Sequence, residues 1–295
     1  ASGQLRAGGL PSWCGKGPVL KGIAGVRQPS DGSVHCAWRD LDQHDLAPHE
    51  IGYVPQFGIA FDLLTVGESV ATALRLRVGA LSAEERTERA QRVLAEVGLT
   101  EIAKRRVGLL SGGQKRRLAL ALEMVSDPRL LLCDEVTSGL DPKAESEVVQ
   151  LLHRIARTDG CTVISVTHSL RHLELHDTVT VLYESRLVFQ GAPNSLGNYF
   201  AIADPEHLFS TLTARPAAEW QERWRSHAPG RSPMPNDPDS GGNGFRAPGF
   251  AVQFATCLQR RWLLFGRNPC PVALTGIAAR ARLCPEAFSA QAARF

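Results

Sequence analysis

The run Leu130-Leu131-Leu132-Cys133, followed directly by Asp134-Glu135, constrains this chain more than any other feature. Four apolar residues without alternation fit a strand buried on both faces, as in a parallel sheet covered by helices. Thr162-Val163-Ile164-Ser165-Val166, rich in β-branched residues, reads as a second such strand and runs into Thr167-His168. Helical patterns alternate with these runs. Ser82-x-x-Glu85 is a capping-box signature that opens a charged helix, which stops near Gly98. Further helices are expected over residues 115–126, ended by Asp127-Pro128, and over 144–157, closed by Asp159-Gly160. Residues 179–183 and 187–190 read as a hairpin. Alternating strands and helices predict an α/β fold with a mostly parallel sheet.

Composition narrows the class. Of 295 residues, 43% are hydrophobic and 21% charged, an ordinary globular balance that excludes a disordered or collagenous chain. A net charge of +3 is too mild to suggest a nucleic-acid partner. No apolar run reaches about 18 residues, so no membrane-spanning helix is predicted. The seven cysteines (14, 36, 133, 161, 257, 270 and 284) form no C-x-x-C pair, and Cys133 and Cys161 read as small core residues in a reducing cytosol. The sequence begins at Ala1 without a charged-then-apolar leader, so no signal peptide is expected, and a processed or incomplete chain is. Residues 228–249 form a Pro/Gly/Ser/Asn linker with too little apolar surface to order itself. It divides residues 1–227 from a sparsely patterned stretch, 250–295.

Several residues suggest chemistry. Leu110-Ser111-Gly112-Gly113-Gln114 places two glycines at a helix mouth, where backbone N–H groups can approach an anion; an ordinary Ser-capped helix reads the same way. Asp134 and Glu135 fall at the carboxyl end of a central strand, the edge at which open α/β sheets bind ligands. Asp134 suits Mg²⁺, directly or through water, and Glu135 suits orienting or deprotonating a water. His168 ends the neighbouring strand at the same edge.

Together these residues resemble the ATP-binding cassette of ABC transporters. Leu110-Ser111-Gly112-Gly113-Gln114 is similar to the signature motif and residues 130–135 to Walker B with its glutamate. Residues 138–141, Ser138-Gly139-Leu140-Asp141, are similar to the D-loop, His168 to the switch histidine, and Val54-Pro55-Gln56 to the Q-loop, followed by Thr65-Val66-x-Glu68. The order agrees with the family, as do the spacings of 20 positions from Gln114 to Asp134 and 34 from Asp134 to His168. Gly-Gly-Gln-Lys-Arg-Arg and Asp-Glu-x-Thr-Ser-Gly-Leu-Asp look like the G subfamily (White-type half transporters) and bacterial ABC-2 exporters, with Val136 where Pro is usual.

The P-loop, G-x-x-x-x-G-K-[ST], is matched imperfectly. Gly15-Lys16 fit, but Leu10 stands at the first glycine, Trp13 where a glycine is usual, and Gly17 at the Ser or Thr that binds Mg²⁺. The loop therefore reads as homologous but chemically damaged. The family also places two or more strands and a stacking aromatic ahead of this loop. Only 14 residues precede Gly15 and none reads as those strands, so the N-terminal strands are expected to be missing. Residues 259–269 resemble the basic segment leading into a membrane domain, yet no long apolar run follows. Both ends suggest truncation or a change of frame.

The resemblance implies a P-loop NTPase-like parallel-sheet core with a helical insertion over about residues 65–125 that carries the signature. It implies ATP and Mg²⁺ as cofactors, a second cassette as partner in a head-to-tail dimer, and the membrane domain of an ABC exporter at the cytoplasmic face of a membrane. Glu135 would polarise water and His168 contact the γ-phosphate. Gly15, Lys16, Gly17, Gln56, Ser111, Gly112, Gly113, Gln114, Asp134 and Asp141 would bind nucleotide, and Gln56 and Asp134 would hold Mg²⁺. Two other readings stand beside it. One is a nucleotide-poor regulatory half that donates its signature to a partner. The other, a soluble ABC ATPase acting on DNA or ribosomes, is disfavoured by the mild charge and by residues 259–269.

Other features read plainly. The spacing of His168, His172 and His176 lacks a carboxylate or Cys to complete a metal set. Lys104-Arg105-Arg106 reads as a solvated charge run. Trp220 and Trp224 are expected to pack a helix against the cassette. Residues 250–265 are expected to form a membrane-surface helix apart from the cassette, with Phe250, Phe254, Cys257, Arg261 and Leu264 spaced at three or four.

Overall fold

A computed structural model describes residues 5–9, 16–25, 31, 35–36, 39–40, 49–56, 60–79, 81–158, 160–227 and 247–268. In chain order the strands and α-helices begin with β1 (Leu5–Gly9), α1 (Lys16–Ile23), β2 (His35–Cys36), β3 (Arg39–Asp40) and β4 (Ile51–Val54). Then come α2 (Val66–Arg77), α3 (Ala83–Glu96), α4 (Gly112–Met124), β5 (Leu130–Asp134), α5 (Pro142–Thr158) and β6 (Thr162–Thr167). The hairpin β7 (Thr178–Tyr183) and β8 (Arg186–Gly191) leads to α6 (Pro193–Phe200), α7 (Leu208–Thr213), α8 (Ala217–His227) and α9 (Phe250–Arg267). The expected linker at 228–249 falls almost wholly outside the described residues, as do residues 269–295.

β1 is a strand where the sequence predicts none. Leu-Arg-Ala-Gly-Gly has poor strand propensity, yet it pairs in parallel with both β6 and β7. Its place at the centre of the sheet, not its composition, makes it a strand. The six-stranded sheet has the order β4-β5-β6-β1-β7-β8, parallel throughout except at the β7–β8 hairpin; β2 and β3 form a separate antiparallel pair.

The unbroken apolar run of β5 is explained by cover on both faces. Leu130 and Leu132 pack with Leu20 of α1 and Val166, whereas Leu131 and Cys133 join the larger core beneath α2, α4 and α5. Burial pushes the Cys133 thiol well above its ordinary pKa, so it is an inert core residue. α2, α3 and α4 are inserted between β4 and β5 and pack on one another through Val70, Leu74, Val93, Val97, Leu118 and Ala121. Each of the three starts with a full capping box: Thr65 with Glu68, Ser82 with Glu85, and Ser111 with Gln114. Gly98, at φ 68°, ends α3 as expected.

A third cluster covers β7 and β8. Phe189, Tyr199, Phe200, Trp220 and Trp224 meet with ring centroids 4.8–5.8 Å apart. Trp220 donates to the Leu212 carbonyl at 3.1 Å, and the Arg223 guanidinium lies over both Tyr199 and Trp220. The two tryptophans thus pack α8 onto the sheet, as their i, i+4 spacing predicted.

Candidate functional site at the carboxyl edge of the sheet

Because β1, β4, β5 and β6 are parallel, their carboxyl ends share one edge. Val54 pairs with Cys133, Asp134 with Val166, and Gly9 with Thr167. The residues that follow β4, β5 and β6 are therefore neighbours: Gln56, Glu135 and His168. β1 and β5 flank β6, so the end of β1 and the Asp134-Glu135 pair lie on either side of the end of one strand.

Glu135 is the hub. Gln56 Nε2 donates to its Oε2 at 3.0 Å, and His168 Nε2 lies 2.5 Å from its Oε1. Its backbone is left-handed, φ 50°, a conformation that costs a residue with a Cβ about 1–2 kcal/mol. The amide of Glu135 donates to the Val166 carbonyl and that of Ser138 to the Glu135 carbonyl, both at 3.0 Å, and these bonds hold the turn. The buried Thr137 and Thr167 hydroxyls meet at 3.4 Å, and the Ser169 amide donates to Thr167 Oγ1 at 3.0 Å, fixing the turn that carries His168.

Asp134 is positioned by Tyr53, whose hydroxyl donates to Oδ2 at 3.1 Å. Burial, then the adjacent carboxylate, pushes the Tyr53 phenol up to about 12, so it remains a donor. Tyr53 is itself held from behind, its amide donating to the buried Glu123 carboxylate at 3.0 Å. Arg77 pairs with the other oxygen of Glu123 at 2.6 Å, and burial raises the Glu123 carboxyl despite that pairing.

The glycine-rich helix mouth has two structural functions, the Ser cap that its sequence allowed and a packing role that it did not show. Ser111 Oγ accepts from the Gln114 amide at 3.3 Å, and Gln114 Oε1 accepts from the Ser111 amide at 3.0 Å, so both side chains serve the capping box. A Cβ on Gly112 would lie 3.3 Å from Leu140 Cδ2 and one on Gly113 3.1 Å from Ala144 Cβ. The glycines thus let the start of α4 pack against the start of α5. Asp141 caps α5, accepting from the Lys143 and Ala144 amides at 3.1 and 3.0 Å.

Arg116 completes the constellation. It reaches from α4 and donates to the main-chain carbonyl of Gln56; burial lowers the pKa of its guanidinium. Tyr53 and Arg116 were not singled out from sequence. Tyr53 sits three positions before Gln56 and Arg116 two after Gln114, but only strand pairing and the return of α4 bring them to the site.

Of the residues expected at the site, the structure brings the nucleotide-binding candidates Gln56 and Asp134 together with the catalytic candidates Glu135 and His168. Ser111, Gly112, Gly113, Gln114 and Asp141 form an adjacent group, joined to them through Arg116. Lys16 and Gly17 open α1; Gly15, Leu10 and Trp13 lie outside the described residues. His172 Nδ1 lies 3.6 Å from Glu174, and the buried His176 Nδ1 lies 3.1 Å from the His172 carbonyl, so the three regularly spaced histidines meet different partners.

Residues 11–138 match the family model described as ABC transporter. A dimeric, post-hydrolysis structure of an ATP-binding cassette bound to ADP and Pi superposes with a TM-score of 0.57 and 29% identity, covering 65% of this chain and 87% of that one. The chain carries an ABC-transporter nucleotide-binding domain. It is 34% identical over 219 residues to an ABC transporter ATP-binding/permease protein of Mycobacterium tuberculosis, covering 73% of this chain and 25% of that protein. ABC transporter G family member 5 of Arabidopsis thaliana is 34% identical over 196 residues, covering 64% of this chain and 30% of that protein. A sulfate/thiosulfate import ATP-binding protein of Brucella melitensis matches at 35%, covering 66% of this chain and 55% of that protein. The cassette thus spans between a quarter and about half the length of these relatives, and importers resemble it as closely as the G-family member does.

Proposed function

We propose that the cassette binds ATP with Mg²⁺ at this sheet edge, pairs with a second cassette, and couples ATP binding and hydrolysis to export of a substrate through a membrane domain, at the membrane's cytoplasmic face. The observation that carries the reading is the Glu135 carboxylate, held between Gln56 and His168 beside Asp134. A carboxylate so oriented can accept a proton from an attacking water. His168, already hydrogen-bonded to that carboxylate, supplies a donor toward a phosphate, and Lys16 supplies charge from the first turn of α1. Ser111, Gly112, Gly113 and Gln114 would meet the nucleotide held by the partner cassette.

The residues present fit Mg²⁺ in part. Asp134 and Gln56 offer hard oxygen donors, and one or two such groups beside phosphate oxygens suffice for this ion. Tyr53 engages Asp134 Oδ2, which leaves Oδ1 to approach a cation. Gly17 brings no hydroxyl. When bound, the ion would neutralise charge on the phosphates.

Export and the G subfamily are supported by the Gly-Gly-Gln-Lys-Arg-Arg and Asp-Glu-x-Thr-Ser-Gly-Leu-Asp sequences and by the G-family relative. A joined membrane domain is supported by the ATP-binding/permease relative, of which the cassette matches 25%. Leu10, Trp13 and Gly17 favour a second reading, in which this cassette binds nucleotide poorly and lends its signature helix to a competent partner. Calorimetry with Mg-ATP, on the chain alone and mixed with a hydrolysing cassette, separates the two. Binding and turnover by the chain alone support the first; turnover only in the mixture, retained when Lys16 is replaced, supports the second.

A further inference from the structure

Among the described residues β4 ends the order of the six-stranded sheet, so amides on its outer side have no strand to bond. One of them, that of Tyr53, donates to Glu123 Oε2 of α4 at 3.0 Å. Glu123 is 5% exposed and interrupts the otherwise apolar run from Leu118 to Val125. A carboxylate is costly at such a place unless its oxygens are engaged. The approach of α4 that makes the bond depends on Gly52, where a Cβ would lie 2.8 Å from Leu131 Cδ1 and 3.2 Å from Glu123 Cβ.

β4 passes this support to its other face. Gly52 and Val54 lie on the side of α4, whereas Ile51 and Tyr53 pack with Leu130 and Leu132 on the side of α1. Tyr53 pairs with Leu132, and Asp134 follows two positions later on the same face. The Tyr53 hydroxyl reaches it, donating to Oδ2 at 3.1 Å.

The far end of the chain of contacts is anchored too. Arg77, the last residue of α2, pairs with Glu123 Oε1 at 2.6 Å, so each oxygen of Glu123 has its own partner. α2 is in turn held by α9. Arg267 donates to Glu68 through Nη1 at 2.6 Å and Nη2 at 2.7 Å, and Arg75 donates to Gln259 at 2.9 Å. This attachment of α9 corrects the expectation that residues 250–265 stand apart from the cassette.

We propose that Glu123 is a positioning residue for Asp134: by fixing the edge strand at Tyr53 it fixes the Tyr53 hydroxyl, which turns Asp134 so that Oδ1 is presented to the cation. The inference rests on the reading of Asp134 as a Mg²⁺ carboxylate. Packing alone does not require a glutamate, since Leu or Met would fill the same space without desolvating a charge. Either would leave the Tyr53 amide unpaired at the sheet edge. Partners behind a metal carboxylate orient it and tune its affinity.

The test titrates the full chain with Mn²⁺ in the presence of ATP, free Mn²⁺ being read by electron paramagnetic resonance, and separately with ATP in EDTA. Tyr53→Phe keeps the ring and removes only the hydroxyl; it should weaken Mn²⁺ binding about tenfold and leave metal-free ATP binding unchanged. Glu123→Gln should weaken Mn²⁺ binding about threefold, again without effect on metal-free ATP. Glu123→Asp, retracted by one methylene, is the second variant should the glutamine form fail to fold. The double variant Tyr53→Phe with Glu123→Gln should be no weaker than Tyr53→Phe alone, because Glu123 acts through the hydroxyl. Additive losses, equal loss of metal-free ATP binding, or unchanged Mn²⁺ binding in Tyr53→Phe would overturn the proposal. Absence of Mn²⁺ binding by the parent would instead overturn the nucleotide reading. Amide exchange across residues 134–138 in the free chain then decides the positioning alone: faster exchange in both single variants supports it, and unchanged exchange rejects it.

Discussion

His168 Nε2 lies 2.5 Å from Glu135 Oε1, so the ends of β6 and β5 are joined by side chains at the edge that also carries Gln56. If Glu135 takes the proton of an attacking water, Glu135→Gln keeps a hydrogen-bonding side chain but removes the base. ATP turnover should fall by about 10²–10⁴ while affinity for Mg-ATP is unchanged. His168→Ala should also lower turnover more than affinity. Steady-state hydrolysis beside calorimetric titration measures both; parallel loss of binding and turnover would contradict these roles.

The P-loop departures predict weak binding by the chain alone. Gly17 carries no hydroxyl where the P-loop pattern has Ser or Thr, and Trp13 stands where a glycine is usual. Loss of one or two charge-assisted contacts, at about 1.5–3 kcal/mol each, corresponds to roughly tenfold to ten-thousandfold in affinity. Trp13→Gly combined with Gly17→Ser should recover it. A low-micromolar dissociation constant for the unaltered chain would refute this account.

Arg116 joins α4 directly to the main chain of Gln56. Arg116→Ala should release the Gln56 segment and raise amide hydrogen exchange there and in Tyr53, with the sheet core unaffected. A hydrogen bond from a charged group is worth about 1.5–3 kcal/mol, and partial solvent access places this one at the low end. Arg116→Lys should restore part of the protection, since an ammonium keeps a donor but not the planar fork. Unchanged exchange in the alanine variant would show that the contact does not restrain the segment.

The sequence revealed the strands whose residues act locally and hid those made by context. β5, β6 and the hairpin were visible because apolar and β-branched runs carry their own signal. Glu135 and His168 were visible because both follow such runs. β1 was hidden because Arg6, Gly8 and Gly9 have low strand propensity, and its pairing partners lie more than 150 positions away. Tyr53 and Arg116 were hidden because each acts across elements. The boundaries of α4 shifted for a simpler reason: Gly112 and Gly113 are poor helix formers, but the Ser111–Gln114 capping box starts the helix at them.

Glu68 gives a pH dependence with a definite sign. Its hydrogen bonds with Arg267, aided by the Thr65 amide, hold the carboxyl at about 2, below its ordinary 4.5. A depressed carboxyl stabilises the folded state when ionised, so its contribution is complete above about 4.5 and is lost as pH falls toward about 2. Attachment of α9 to α2 should therefore loosen across that interval. Hydrogen exchange of α9 amides against pH would show it, and Glu68→Gln should remove the dependence. The pair is partly exposed, so the effect should be modest and reduced by salt.

Gly113 separates two explanations of the glycine-rich helix mouth. If the glycine serves packing, the contact with Ala144 decides the outcome. Alanine would place its Cβ 3.1 Å from Ala144 Cβ, which a small shift of α5 relieves, and it gains about 1 kcal/mol in helix propensity. Gly113→Ala should therefore be nearly neutral in urea unfolding. Valine adds two carbons that α5 has no room for, and overpacking of this kind costs about 1–3 kcal/mol. Gly113→Val should lower the unfolding midpoint and raise exchange at the amides of Lys143 and Ala144. If the glycine serves instead to let an anion reach the backbone, Gly113→Ala should already impair ATP-dependent pairing of cassettes while stability is kept. Stability and pairing measured on both variants distinguish the cases, since packing predicts a loss that grows from Ala to Val in unfolding and anion approach predicts a loss complete at Ala in pairing.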